Sequence, residues 1–175
     1  MSKVRMDIHT IVVGAGPISS LVVLKPRSAS YEPPCNLPIK IGGWEASAIG
    51  RGIDLDRSSR PLPHDLLKNT IESLGGKVSS VTIVDVDGPT FFAQINITSE
   101  SGERIHLDAR PSDALALAVR TKAPIYAQKD VLDIAALPDF SEIEAEEERR
   151  EDEEFRKFIN SVNPEDFLEP HTKNE

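Results

Sequence analysis

The stretch Ile105-His-Leu-Asp-Ala-Arg-Pro-Ser-Asp-Ala-Leu-Ala-Leu-Ala-Val119 decides how this chain is read, because an echo of it occurs earlier. Ile39-Lys-Ile-Gly-Gly-Trp-Glu-Ala-Ser-Ala-Ile49 aligns with it without a gap, at an offset of 66 residues. Ile39 then falls on Ile105, Ile41 on Leu107, Ala48 on Ala114 and Ile49 on Leu115. Each copy alternates apolar and polar residues and then shifts to helical spacing, so each reads as a strand running into a helix. A repeated strand-to-helix turn predicts a duplicated fold and a pseudo-symmetric site.

The surrounding pattern supports two halves of similar plan. In the first, residues 4–13 alternate and end at Gly14-Ala-Gly-Pro17, and Leu21-Val-Val-Leu24 can pair back as a hairpin. A Pro- and Ser-rich loop is expected over 25–38, a strand over 37–41, and a helix over about 44–49 that Gly50 and Gly52 end early. An amphipathic helix over 64–74 carries Leu67, Ile71 and Leu74 on one face and stops at Gly75-Gly76. In the second half, strands are expected over 78–86, 91–98 and 104–108, a helix over 111–120 and a short strand at 125–127. The expected fold is α+β, a duplicated strand-hairpin, strand and helix unit forming a barrel-like sheet flanked by helices, with a C-terminal helical extension.

Charge divides the chain. Residues 1–138 hold 15 basic and 15 acidic side chains, whereas 139–175 hold 5 and 14, which is the whole of the net charge of -9. Residues 1–138 therefore read as a neutral α+β domain that can meet a polyanion, and 139–175 as an acidic helical tail. In that tail Phe155, Phe158, Ile159 and Val162 form a stripe suited to docking, on the domain or on a second subunit. No apolar run is long enough to span a membrane. The lone Cys35 excludes an internal disulfide and is read as an inert loop thiol. Asp7 and His9 interrupt the N-terminal segment too early for a signal peptide, so a cytoplasmic protein is expected.

Candidate chemistry collects at the helix starts. Val12-Val-Gly-Ala-Gly-Pro17 tempts a dinucleotide-binding reading, but a β-type run rather than a helix follows, so no dinucleotide cofactor is expected. Arg110-Pro-Ser-Asp113 opens a helix; Pro111 suits its first position, and Ser112 or Asp113 can satisfy free N–H groups. A cation there opposes the helix dipole, so Arg110 calls for a partner: Asp108, Asp113, Asp65 or a bound anion. His106 and Asp108 share one strand face and read as a metal or proton-transfer pair or as a solvated face, the latter favoured. Asp65 suits a first helical turn, which leaves His64 beside it as the better functional candidate. Glu45 also sits in a first turn. Should the halves face each other, Glu45, Asp108 and Asp113 converge as carboxylates of the kind that serve divalent-metal phosphodiester hydrolysis.

At Arg60-Pro-Leu-Pro-His-Asp-Leu-Leu67 and Asp108-Ala-Arg-Pro-Ser-Asp-Ala-Leu-Ala-Leu-Ala118 the chain resembles the bifunctional-nuclease (BFN-domain) family of bacteria and plants. Phe91-Phe-Ala93, Ala123-Pro-Ile-Tyr126 and the tail at 155–167 fit the same family, and the match is good over roughly residues 40–138. The chain departs from it at Pro38-Ile-Lys-Ile-Gly42, where the family tends to have Trp for Lys40, and at Gly50 and Gly52. The resemblance implies a duplicated α+β fold and, for some members, nuclease activity on both DNA and RNA. On that basis Glu45, His64, Asp65, Asp108 and Asp113 are the expected acid–base or metal groups, with Arg60, Arg110 and Ser112 contacting substrate and Mg²⁺ as the candidate cofactor. A homo-oligomer is expected. The competing function is a non-catalytic regulatory module that binds an anion or a protein.

Overall fold

A computed structural model describes residues 2–14, 19–54 and 60–139, together with Glu153, Arg156 and Lys157. The chain divides into a unit Met1–Pro138 and a unit Asp139–Glu175. The apolar stripe expected at 155–162 lies outside the described residues, as does the Gly16-Pro17 turn.

The first unit opens with the antiparallel strands β1 (Lys3–Val12), β2 (Ser20–Pro26) and β3 (Cys35–Ile41), followed by helix α1 (Gly43–Ile53). Helix α2 (Pro63–Ser73) leads into a second meander, β4 (Lys77–Asp87), β5 (Thr90–Thr98) and β6 (Arg104–Ala109), and then helix α3 (Pro111–Thr121). Strand β7 (Ile125–Gln128), helix α4 (Lys129–Ala135) and strand β8 (Leu137–Pro138) complete it. Among the described residues the eight strands form one sheet in the order β6-β5-β4-β7-β1-β2-β3-β8. β7 joins the two meanders, parallel to β4 and antiparallel to β1.

The strands run as they do because their side chains alternate. On β2, Ser20, Val22, Leu24 and Pro26 are buried, and in register with them β3 buries Leu37 and Ile39. Val81 and Ile83 on β4 face the same side as Ile95 and Ala93 on β5, and helix α3 closes over them with Ala114, Leu115, Ala116, Leu117 and Ala118 all buried. Each buried Leu or Ile contributes roughly 1.5–3 kcal/mol. The opposite face carries Ser80, Thr82, Gln94, Asn96, His106 and Asp108. There the Asn96 amide donates to Ser80 Oγ at 2.9 Å, and its carbonyl lies 2.6 Å from His106 Nδ1.

Four expectations need correction. Among the described residues the sheet does not close, with β6 and β8 as its edges, so the expected barrel-like closure is not seen. Helix α1 does not end at Gly50 but runs on to Ile53, and its Gly52 is buried against α3. A Cβ on Gly52 would stand 2.5 Å from Val119 Cγ2, so the glycine is where the two helices approach, not a stop. Cys35 begins β3 and is buried, rather than lying in a loop. Finally, the helices of the two halves begin at Gly43 and Pro111, an offset of 68 rather than 66. Glu45 therefore corresponds to Asp113, not to Pro111.

Candidate functional site

Helices α1, α2 and α3 start alike. Each follows an extended residue, Gly42, Leu62 or Arg110, and each carries a carboxylate at its third position: Glu45, Asp65 and Asp113. A carboxylate there meets free N–H groups and the positive end of the helix dipole, so all three have a local reason to exist. Asp65 shows it directly by accepting the Leu62 backbone N–H at 2.9 Å. Glu45 folds over Gly42, where a Cβ would collide with its carboxylate.

The tertiary structure then assigns these carboxylates to partners. Arg110 donates from Nε to Asp113 Oδ2 at 2.8 Å and from Nη2 to Asp113 Oδ1 at 3.3 Å. Its Nη1 donates to Glu45 Oε1 at 3.3 Å. These bonds use three of the five N–H groups that a guanidinium carries. His64 Nε2 lies 3.2 Å from Asp113 Oδ1. Burial disfavours ionisation of Asp113, but the bonds from Arg110 and His64 outweigh it and hold the carboxyl below its usual range. An ionised carboxylate only accepts, so the His64 proton facing it sits on Nε2, which leaves Nδ1 as that ring's acceptor in the neutral form.

Asp65 belongs to a different group. Arg120, whose side chain is 5% exposed, donates from Nε to Asp65 Oδ1 at 2.7 Å. Its Nη1 bonds both Ala48 O and Ala116 O at 2.8 Å, so one guanidinium ties the three helices together. Burial raises the Asp65 pKa; the Leu62 N–H and Arg120 more than reverse this, and the carboxyl is held low. This is a structural tie rather than a free acid.

A groove of about 960 Å³ opens where the two helix starts meet the ends of their strands. Its wall includes Lys40, Trp44, Glu45, Ser47, Arg110 and Ser112, with Phe91 from the second hairpin. Glu45 and Arg110 thus reach the groove, whereas His64 and Asp113 stand behind Arg110 and do not line it. Ser112 lines it but is buried. Asp108 projects from β6 on the sheet face that bears His106, so it does not join Glu45 and Asp113. Arg60 is exposed, two residues ahead of Leu62.

The expected carboxylate cluster for a metal is not gathered. Among the described residues no three His, Cys, Asp or Glu side chains form a group able to hold a metal ion. Between Glu45 and Asp113 the structure places the cation of Arg110 instead. Sequence reasoning passed over Trp44, which is 89% exposed on the groove wall, and Lys40 beside it. A signal existed for the first: Trp44 is the chain's one tryptophan and stands at a helix start. Among the described residues no helix is long and apolar enough to cross a membrane.

A family model described as the bifunctional nuclease domain matches residues 22–139. Uncharacterized protein Rv1829 of Mycobacterium tuberculosis (strain ATCC 25618 / H37Rv) is 42% identical over 135 residues, which is 75% of this chain and 80% of that protein. The Arabidopsis thaliana proteins Bifunctional nuclease 1 and Bifunctional nuclease 2 are 32% and 29% identical over 73 residues. Those alignments cover 41% of this chain and 22% of each plant protein.

Proposed function

The chain belongs to the bifunctional nuclease domain family, and on that premise we propose that it hydrolyses phosphodiester bonds of DNA or RNA with little sequence preference. One observation carries the reading: Arg110 is held on the groove wall between Glu45 and Asp113, with two N–H groups that bond no other side chain among the described residues. Planar paired donors suit the non-bridging oxygens of a phosphate. Glu45 beside it is the general base. It takes the proton of a water whose oxygen forms the new bond to phosphorus as the bond to the leaving oxygen breaks, and that oxygen is protonated from solvent. His64 and Asp113 act through Arg110: the imidazole holds the carboxylate, and the carboxylate holds the guanidinium. Contact with phosphate rather than base edges carries no sequence information, hence the low selectivity.

Arg110 stands between two of the carboxylates expected to serve Mg²⁺. A cytoplasmic homo-oligomer completes the reading; the exposed Ile105 and Leu107 on edge strand β6 support self-association.

The test is hydrolysis of a labelled single-stranded oligonucleotide by wild type, Glu45→Gln, Arg110→Ala and His64→Ala, purified identically and cleared of host nuclease, each with Mg²⁺ and with EDTA. Wild type should cut in proportion to dose, and Glu45→Gln should lose roughly a hundredfold or more. Equal cutting by all four proteins sinks the assignment. Binding without cutting leaves the non-catalytic anion-binding module in its place.

A further inference from the structure

Trp44 is 89% exposed at the second position of α1, next to Glu45 and on the same groove wall as Arg110 and Lys40. A tryptophan so exposed leaves a large apolar face in water, which packing does not explain. Its neighbours decide what suits that face. Two cations, Lys40 and Arg110, line the same groove, and Arg110, though paired to Glu45 and Asp113, keeps two N–H groups for an anion. A nucleotide pairs a flat apolar face with a negative charge. A base stacked on indole places its own phosphate within the reach of such cations.

We propose that Trp44 is a specificity-determining residue that stacks an unpaired nucleobase beside the phosphate held at Arg110, so the groove takes single strands and excludes paired bases. The choice of nucleotide rests on the nuclease reading above. In a duplex each base face is covered by its neighbours, so stacking on Trp44 requires a base that has left the stack. Recognition by stacking is tolerant of base identity, because every base offers a flat face.

Trp44 is the chain's one tryptophan, so its fluorescence reports this position alone. The probe is thymidine 3′,5′-bisphosphate, which has a base and two phosphates but no internucleotide bond to cut. Saturable quenching of Trp44 is expected, with little quenching by ribose 5-phosphate. By calorimetry Trp44→Ala should bind the bisphosphate about tenfold more weakly and Trp44→Phe nearly as well as wild type, with the melting temperature unchanged. Quenching without hydrolysis of any oligonucleotide keeps the stacking role and removes the nuclease reading. Arg110-dependent hydrolysis without quenching does the reverse. Equal quenching by ribose 5-phosphate, or unchanged binding by Trp44→Ala, overturns the proposal.

Discussion

Arg110 Nη1 lies 3.3 Å from Glu45 Oε1, a bond that spans 65 residues of sequence and joins the start of α3 to the start of α1. Its other side is held by Asp113, three residues along its own helix. The helices that follow the two meanders therefore meet at one guanidinium, which hydrogen-bonds a carboxylate from each.

Arg110→Lys tests whether geometry matters beyond charge. An ammonium cannot hold Asp113 with two parallel bonds and reach Glu45 at once. Oligonucleotide hydrolysis should fall on the order of tenfold, and the melting temperature should hardly move because the side chain is 67% exposed. Steady-state kinetics beside a thermal melt checks both; unchanged hydrolysis would show that the charge alone suffices.

Two glycines of α1 should respond oppositely to alanine. A Cβ on Gly50 meets nothing within 4 Å, so Gly50→Ala should stabilise by about 0.5–1 kcal/mol. A Cβ on Gly52 strikes Val119 and Arg120, so Gly52→Ala should cost about 1–3 kcal/mol. Urea unfolding of both variants distinguishes packing from helix propensity. If Gly52→Ala also stabilises, the close approach of α1 and α3 is wrong.

Arg120→Met keeps most of the apolar stem but removes the guanidinium. It leaves Ala48 O without that donor and frees Asp65, for a loss of about 2–3 kcal/mol. The same variant should leave the Trp44 fluorescence response intact, because Arg120 does not line the groove. Calorimetric melting and the fluorescence titration together test this.

The pH dependence of stability should report Asp65. Its folded pKa lies below the unfolded value of about 3.9, since the Leu62 N–H and Arg120 outweigh burial. The stability it contributes is therefore fully present above that unfolded value and is lost as pH falls through the folded pKa. Wild type should exceed Asp65→Asn most at neutral pH, and the gap should narrow below about pH 4. Denaturant melts at pH 7 and pH 3 measure it; a gap that is constant across this range contradicts the depressed pKa.

Much of the fold was legible because strands and helices leave different periods. The alternation in β2, β3 and β5 and the Ala/Leu run of α3 are local signals, and α3 starts at Pro111 as its sequence implies. The length of α1 was not legible. Helix propensity alone penalises Gly50 and Gly52, and only the neighbouring α3 shows why Gly52 is required. The repeat was visible but two residues out of register, since gapless matching of apolar residues ignores where each helix begins. Helix α4 and strand β8 passed unread; a seven-residue helix and a two-residue strand are too short to show a period.

Sequence by itself determined where carboxylates belong. Glu45, Asp65 and Asp113 each sit in a first helical turn, a position that local backbone chemistry favours whatever the tertiary structure. Only the tertiary structure decided what each one does. Asp113 and Arg120 lie two turns apart on α3, about 10 Å along its axis. The start of α2 meets α3 between them, so His64 reaches Asp113 while its neighbour Asp65 reaches Arg120. The start of α1 meets the beginning of α3, so Glu45 reaches Arg110. The three carboxylates are alike in sequence, and helix packing leaves one to tie helices together, one to hold an arginine and one to face the groove.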